Sequence, residues 1–345
     1  MFFYTLANKL LSIDLKNSFI YLIFSILLLL FACNKEANKI TPTPEPTPTP
    51  DIFSSIYQTS NSGIADNFIN DIEILGNIVK IATNNGLSIF DGNNWSVLNT
   101  TNAGLPSNKI NCVQSNGTTT WIGTDNGLVN YTNGITTIYN TSNSPLPANK
   151  IRALTLSISG KLWIGTFSGG GLASFDGSNW QVFTPSNSDL PNNSVSVIKE
   201  NTNGDLWVGT GSGISVFDGS NFTNYNPGNS DLPNPFVFDI TFNNNVVWIA
   251  SNGGLTKIDG SIWHTYNMQN SDLPLNLLRS IAIKSSTEVF VGMSGQGIAK
   301  FNSTTSEWVH FNFSNSNLPN NYINKIAIDF SNKAWIATEN GIAVY

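Results

Sequence analysis

Formal charge is scarce in this chain: Asp, Glu, Lys and Arg together make up 11% of 345 residues, and arginine occurs only at Arg152 and Arg279. A net charge of −6 offers no basic face to a polyanionic backbone, which argues against nucleic acid as a partner. Histidine occurs only at His264 and His310. No His and Cys cluster has metal-ligand spacing, so no metal site and no cofactor is expected. The glycines fall in turns with no helix after them, which removes a phosphate-cradling loop as well. Of the two cysteines, Cys33 ends an N-terminal apolar segment, leaving Cys112 alone in the remainder and excluding a disulfide there. The fold has to be held by packing, with Cys112 read as a small buried residue within a strand.

What the chain does have is a repeat. A short apolar motif, spelled WIGT at Trp121 and Trp163, returns seven times, starting at Lys80, Trp121, Trp163, Trp207, Trp248, Phe290 and Trp335, in steps of 41 to 45 residues. A Gly-Leu or Gly-Ile pair follows each copy. A period in the low forties built from short strands and Gly-rich turns predicts an all-β, seven-bladed propeller. Each blade reads as a loop with Leu-Pro (Leu105-Pro106, Leu146-Pro147 and so on), a first strand, the WIGT strand, the Gly-Leu strand, an Asp-Gly turn as in Asp176-Gly177, and a fourth strand carrying Trp or Phe. The seventh repeat reaches Tyr345 without a fourth strand, while residues 52–57 match one. The N-terminal strand is therefore expected to complete the last blade and remove an exposed sheet edge.

Ahead of the repeats lie two segments of different composition. Residues 1–33 place Lys9 and Lys16 before an apolar run over 19–32, which is shorter than the roughly 20 residues of a membrane-spanning helix and fits an export signal. The run ends in Leu30-Phe31-Ala32-Cys33, which resembles the lipobox of bacterial lipoproteins. That resemblance implies Cys33 as the lipid-modified residue holding the protein to a membrane; the other reading is an ordinary secretory signal with a Cys at the cut. Residues 34–51 contain TPTPEPTPTP, in which alternating prolines favour an extended spacer of about 3 Å per residue. The propeller is assigned to residues 52–345.

The segments at 146–172 (LPANKIRALTLSISGKLWIGTFSGGGL) and 190–214 (LPNNSVSVIKENTNGDLWVGTGSGI) resemble two component regulator propeller repeats, known from sensor regions of hybrid kinases and from exported proteins without a kinase. The resemblance implies a sensing or scaffolding ring. With the chain ending at Tyr345, phosphotransfer by the chain itself is not expected.

All nine tryptophans sit on repeat positions, Trp121, Trp163, Trp207, Trp248 and Trp335 on the second strand and Trp95, Trp180, Trp263 and Trp308 on the fourth. Such regularity reads as filling between blades rather than as sugar platforms. Recognition is sought where blades differ. The second residue of the first strand, at the channel mouth, reads Asn70, Asn111, Arg152, Ser196, Phe238, Arg279 and Asn324, and the residue before that strand includes Lys109, Lys150, Phe236 and Tyr322. Guanidinium groups facing aromatic rings suit a glycan or an anionic small ligand. Asp71 and Asp239 are placed to neutralise the two arginines. The loops around Phe167 and Ser294 are expected on the same face.

Both histidines fall on fourth strands, at positions read as equivalent, and neither suits a general base or metal pair. The Asp-Gly carboxylates have a turn role. The expected function is thus a non-catalytic, lipid-anchored binding or sensing module of the bacterial cell envelope, at the outer membrane and facing the periplasm or the surface. The alternatives are a scaffold with an envelope protein as partner, and a polysaccharide lyase or hydrolase. The last requires an acid or base in the channel with a displaced pKa.

Overall fold

The computed structural model describes residues 51–167 and 169–345. The expected export segment, with Cys33 as its expected lipid site, and most of the Pro-rich spacer lie outside the described residues. The described chain forms 28 strands in seven four-stranded antiparallel sheets. The innermost strands are β2 (Ile69–Leu75), β6 (Ile110–Ser115), β10 (Ile151–Leu156), β14 (Val195–Glu200), β18 (Val237–Asn243), β22 (Leu278–Ile283) and β26 (Ile323–Ile328). Each packs beside the next, and β26 packs beside β2, so the seven strands close a ring around a central channel. The propeller and its count are as the repeat predicts.

Closure also follows the expected route. β1 (Ser55–Tyr57) pairs antiparallel with β28 (Gly341–Val344), in the register Ser55 to Val344 and Tyr57 to Ile342. Two residues upstream, Phe53 is clamped: its N–H donates to Asn317 Oδ1 and its carbonyl accepts from Asn317 Nδ2, each at 2.9 Å. The Phe53 ring is buried in the gap between blades six and seven, edge-on to Phe311 and Tyr345.

The motif residues explain the packing. Seven apolar clusters fill the seven gaps between blades. The Gly of WIGT is where one blade receives the next: a methyl group at Gly165 would lie 2.6 Å from Val195 Cγ1, and one at Gly123 would lie 2.7 Å from Ile151 Cγ2. Only the smallest side chains permit that approach. The Thr of WIGT caps the turn to the third strand, as Thr124 Oγ1 donates to Gly127 O at 2.8 Å. Gly127 itself has a φ of 128°, a conformation that other residues rarely adopt. The leucines of the Leu-Pro loops are buried, and the second-strand Trp121, Trp163, Trp248 and Trp335 are buried between sheets. The fourth-strand tryptophans are half-buried at the same gaps.

The abundant asparagines are loop staples. After each fourth strand an Asn folds back, as Asn143 does: its Oδ1 accepts from Asn140 N–H at 2.8 Å and its Nδ2 donates to Ile138 O at 2.9 Å. Asn61, Asn102, Asn187, Asn229, Asn270 and Asn315 repeat the arrangement. A neutral polar surface is thus consumed in holding turns rather than left free.

The histidines depart from expectation. Trp263 and Trp308 are the equivalent residues, facing Ile258 and Phe301, whereas His264 follows its Trp by one residue and His310 by two. Side chains alternate along a strand, so the two histidines lie on opposite faces of their blades. His310 is hydrogen-bonded to Gln296 O, and His264 is exposed against Tyr266.

Candidate ligand site at the channel mouth

Every inner strand begins with an irregularity in register: Ile151 faces Thr166 and Ala153 faces Gly165, leaving Arg152 without an opposite number. The same bulge occurs at the second residue of all seven inner strands. A bulge re-aims one side chain out of the sheet, here toward the mouth and the adjoining blade.

Four of the seven re-aimed side chains tie the ring together. Asn70 Nδ2 donates to Ile110 O at 2.8 Å, Asn111 Nδ2 to Ile151 O at 3.0 Å, Ser196 Oγ to Val237 O at 2.5 Å, and Asn324 Nδ2 to Ile69 O at 2.8 Å. Each acceptor is the first inner-strand residue of the next blade. Asn70, Asn111 and Asn324, singled out as candidate ligand residues, are thereby engaged in scaffold contacts. The three remaining positions, Arg152, Phe238 and Arg279, make no such bond among the described residues.

These three face a cavity of about 1000 Å³ that occupies the channel. The Arg279 guanidinium lies over the Phe238 ring at 4.3 Å from its centre, a cation–π arrangement. Burial and then the charge of Arg152 pull the Arg279 pKa below its ordinary value, so the two cations sense each other across the mouth. Lys150 stands 5.2 Å from the centre of the Phe167 ring, and Lys109 is paired with Asp125 at 3.5 Å. Phe167 and Ser294 join the lining, which places both expected loops on this face. Phe236 and Tyr322 do not line the cavity; both are exposed on its rim.

Asp71 and Asp239 do not neutralise the arginines. Both are third residues of inner strands and point below the lip. Asp71 accepts from Val113 N–H at 3.1 Å and Ile72 N–H at 3.0 Å. Asp239 accepts from Ser280 Oγ–H, Ile281 N–H and Lys325 Nζ at 2.9, 3.1 and 3.0 Å. Neither arginine has an ion-pair partner among the described residues.

A charged belt in the channel wall was not anticipated. It comprises Asp71, Lys199, Asp239 and Lys325, with Glu73 further in. Against the cost of burial, Lys325 and Lys199 hold Asp239 below the usual carboxylate range, whereas burial prevails at Asp71 and raises it. The ammonium of Lys325, followed by burial, pushes Lys199 down. Burial raises Glu73 to about 7 despite Lys80 nearby. Glu73 Oε1 accepts from Gln114 Nε2 and Ser115 N–H, and its Oε2 is buried without a partner among the described residues. Lys80, which stands where other blades carry Trp or Phe, is buried against Ser115 Oγ and Thr120 Oγ1. The sequence signal for this belt was available, since charged residues inside strands buried on both faces are rare.

Residues 189–212 match the family model described as Two component regulator propeller. The match lies in blade four and covers one repeat of the ring. No curated protein matches the sequence. The chain is similar to the extracellular domain of a putative hybrid two component system from B. thetaiotaomicron, with a TM-score of 0.69 and 22% identity over 85% of this chain and 39% of that one. It is similar to PorZ, a surface component of the type-IX secretion system of Porphyromonas gingivalis, at a TM-score of 0.69 and 16% identity, over 84% of this chain and 48% of PorZ. Virginiamycin B lyase from Staphylococcus aureus shares the ring at a TM-score of 0.67 and 16% identity, over 84% and 97% of the two chains. The chain thus spans less than half the length of the first two, and likeness at these identities establishes the fold alone.

Proposed function

We propose that this propeller is a non-catalytic, envelope-associated binding module that takes an anionic ligand at the channel mouth. One observation carries the reading: at three of seven equivalent positions the ring forgoes an inter-blade hydrogen bond and presents Arg152, Phe238 and Arg279 to an open cavity instead. Two cations without ion-pair partners among the described residues, one resting on an aromatic face, are suited to a carboxylate or another oxyanion. Lys150 extends the same potential toward Phe167. The export segment and the likeness to an extracellular sensor region and to a secretion-system surface component support an envelope location, with Cys33 as the proposed lipid site.

The test is a thermal-shift and titration screen of the protein and of the Arg152→Ala/Arg279→Ala double variant against anionic oligosaccharides, acidic peptides and organic acids. A ligand that prefers the folded state raises the melting temperature. The expected result is a shift in the parent protein that the double variant loses while its own melt is unchanged. Binding that survives in the variant overturns the mouth assignment, and unchanged binding with lost recovery of an envelope complex favours the scaffold reading. Turnover of any glycan, abolished by Glu73→Gln, overturns the non-catalytic reading.

A further inference from the structure

The rim outside the cavity is divided in two. On blades two and three the residues preceding the inner strands are Lys109 and Lys150, while on blades five, six and seven they are Phe236, Leu277 and Tyr322, exposed by 51%, 40% and 47%. Two more apolar residues are fastened to this second half. Met268 N–H donates to Asn276 Oδ1 beside Leu277, and Phe313 N–H donates to Asn321 Oδ1 beside Tyr322, each side chain being more than half exposed. This apolar arc continues inward to Phe238 and Arg279 on the inner strands of blades five and six.

The unstapled positions differ from the stapled ones in their neighbours too. The carbonyls of Ile69, Ile110, Ile151 and Val237 each accept a side-chain donor from the preceding blade, whereas those of Val195, Leu278 and Ile323 receive none among the described residues. These three residues are fully buried, so their carbonyls are closed to a ligand and recognition falls to the side chains of Arg152, Phe238 and Arg279.

From this juxtaposition we infer that the ligand is the free carboxyl terminus of a peptide whose last residues are apolar. The inference rests on the anionic-mouth reading and names the class of ligand. The terminal carboxylate meets Arg279 and Arg152. The apolar side chains cross Phe238 onto Leu277 and Tyr322. An acidic sugar shares the carboxylate. It would, however, lay hydroxyls on the aliphatic surfaces of Leu277 and Met268, which return no hydrogen bond.

Calorimetric titration of the full-length protein decides the matter, using N-acetylated tetrapeptide libraries ending in Leu, Phe or Met, as free acids and as C-terminal amides, alongside galacturonate oligomers. Free acids are expected to bind, amidation to weaken binding at least tenfold, Leu277→Asn to weaken it several-fold, and Arg279→Ala to abolish it. Equal binding of acid and amide overturns the inference. Galacturonate binding that depends on Arg279, with no peptide bound, overturns the inference and leaves the anionic mouth standing. Binding of neither class overturns both.

Discussion

Lys325 Nζ lies 3.0 Å from Asp239 Oδ2 and so joins blade seven to blade five, past the inner strand of blade six. Asp239 is almost wholly buried, and the same carboxylate oxygen accepts from Ser280 and Ile281 of the intervening blade. One carboxylate therefore gathers three blades. Removing Lys325 leaves the buried carboxylate with only the more distant charge of Lys199, and breaking a buried pair typically costs up to about 3–5 kcal/mol. Lys325→Met is expected to lower the urea midpoint accordingly, and Lys325→Met with Asp239→Asn to recover part of the loss. Equal midpoints for parent and single variant would refute the tie.

Glu73 predicts how stability responds to pH. Its carboxyl titrates near 4.5 when unperturbed and, raised by burial, at about 7 in the fold. Between those values the folded protein holds a proton that the unfolded chain has released. The contribution is complete below about pH 4.5 and is lost as pH rises through about 7. Asp71, also raised by burial, acts in the same direction, whereas Asp239, held low, acts oppositely. Melting temperature is expected to fall between pH 5 and 8, and Glu73→Gln to flatten that slope; a slope unaffected by the substitution would exclude Glu73 as its source.

Phe53 tests closure apart from the three paired residues of β1. Truncation to Ala opens a cavity against Phe311 and Tyr345, and such losses run to about 3–5 kcal/mol. Deletion of residues 52–57 should lower the melt further by unsealing blade seven. Scanning calorimetry checks both, and a deletion variant that melts like the parent is incompatible with a ring sealed by β1.

The bulge positions separate scaffold from recognition. Asn111→Ala removes one inter-blade hydrogen bond and should cost about 1 kcal/mol, with binding at the mouth retained. Arg152→Ala, at an exposed side chain without such a bond, is expected to leave the melt within a degree or two and to weaken an anionic ligand. The opposite pattern, a destabilised Arg152→Ala that binds normally, would return Arg152 to the scaffold.

The ring was legible in the sequence because its determinants recur at fixed spacing: a Gly or Ala at the third position of each WIGT copy, the buried Leu before Pro, and a first strand matching the missing fourth strand of blade seven. The mouth was legible only in part. Listing second residues found Arg152 and Arg279, yet it could not separate Asn111, which reaches a neighbouring carbonyl, from Phe238, which reaches none. The reach itself depends on the bulge, a backbone feature shared by all seven strands with no residue signature here; given that reach, the amide donor of Asn111 makes the bond and the Phe238 ring cannot. Asp71 and Asp239 were misassigned because one residue further along the strand lies deeper in the channel, beside lysines of other blades. The histidines were misaligned by one position, which in a strand means the opposite face.

The clasp of Ser54 by Val344, 290 positions apart, has a consequence for biosynthesis. The first blade segment to leave the ribosome must wait for nearly the last, so blades one to six are free to assemble while the seventh still lacks its perimeter strand. Long-range pairings of this kind form late and slowly. Until Phe53 finds its slot, the nascent ring is a crescent with two raw ends, the interval in which a chaperone would protect it and in which two crescents meeting end to end would trade clasps and become one double-sized assembly.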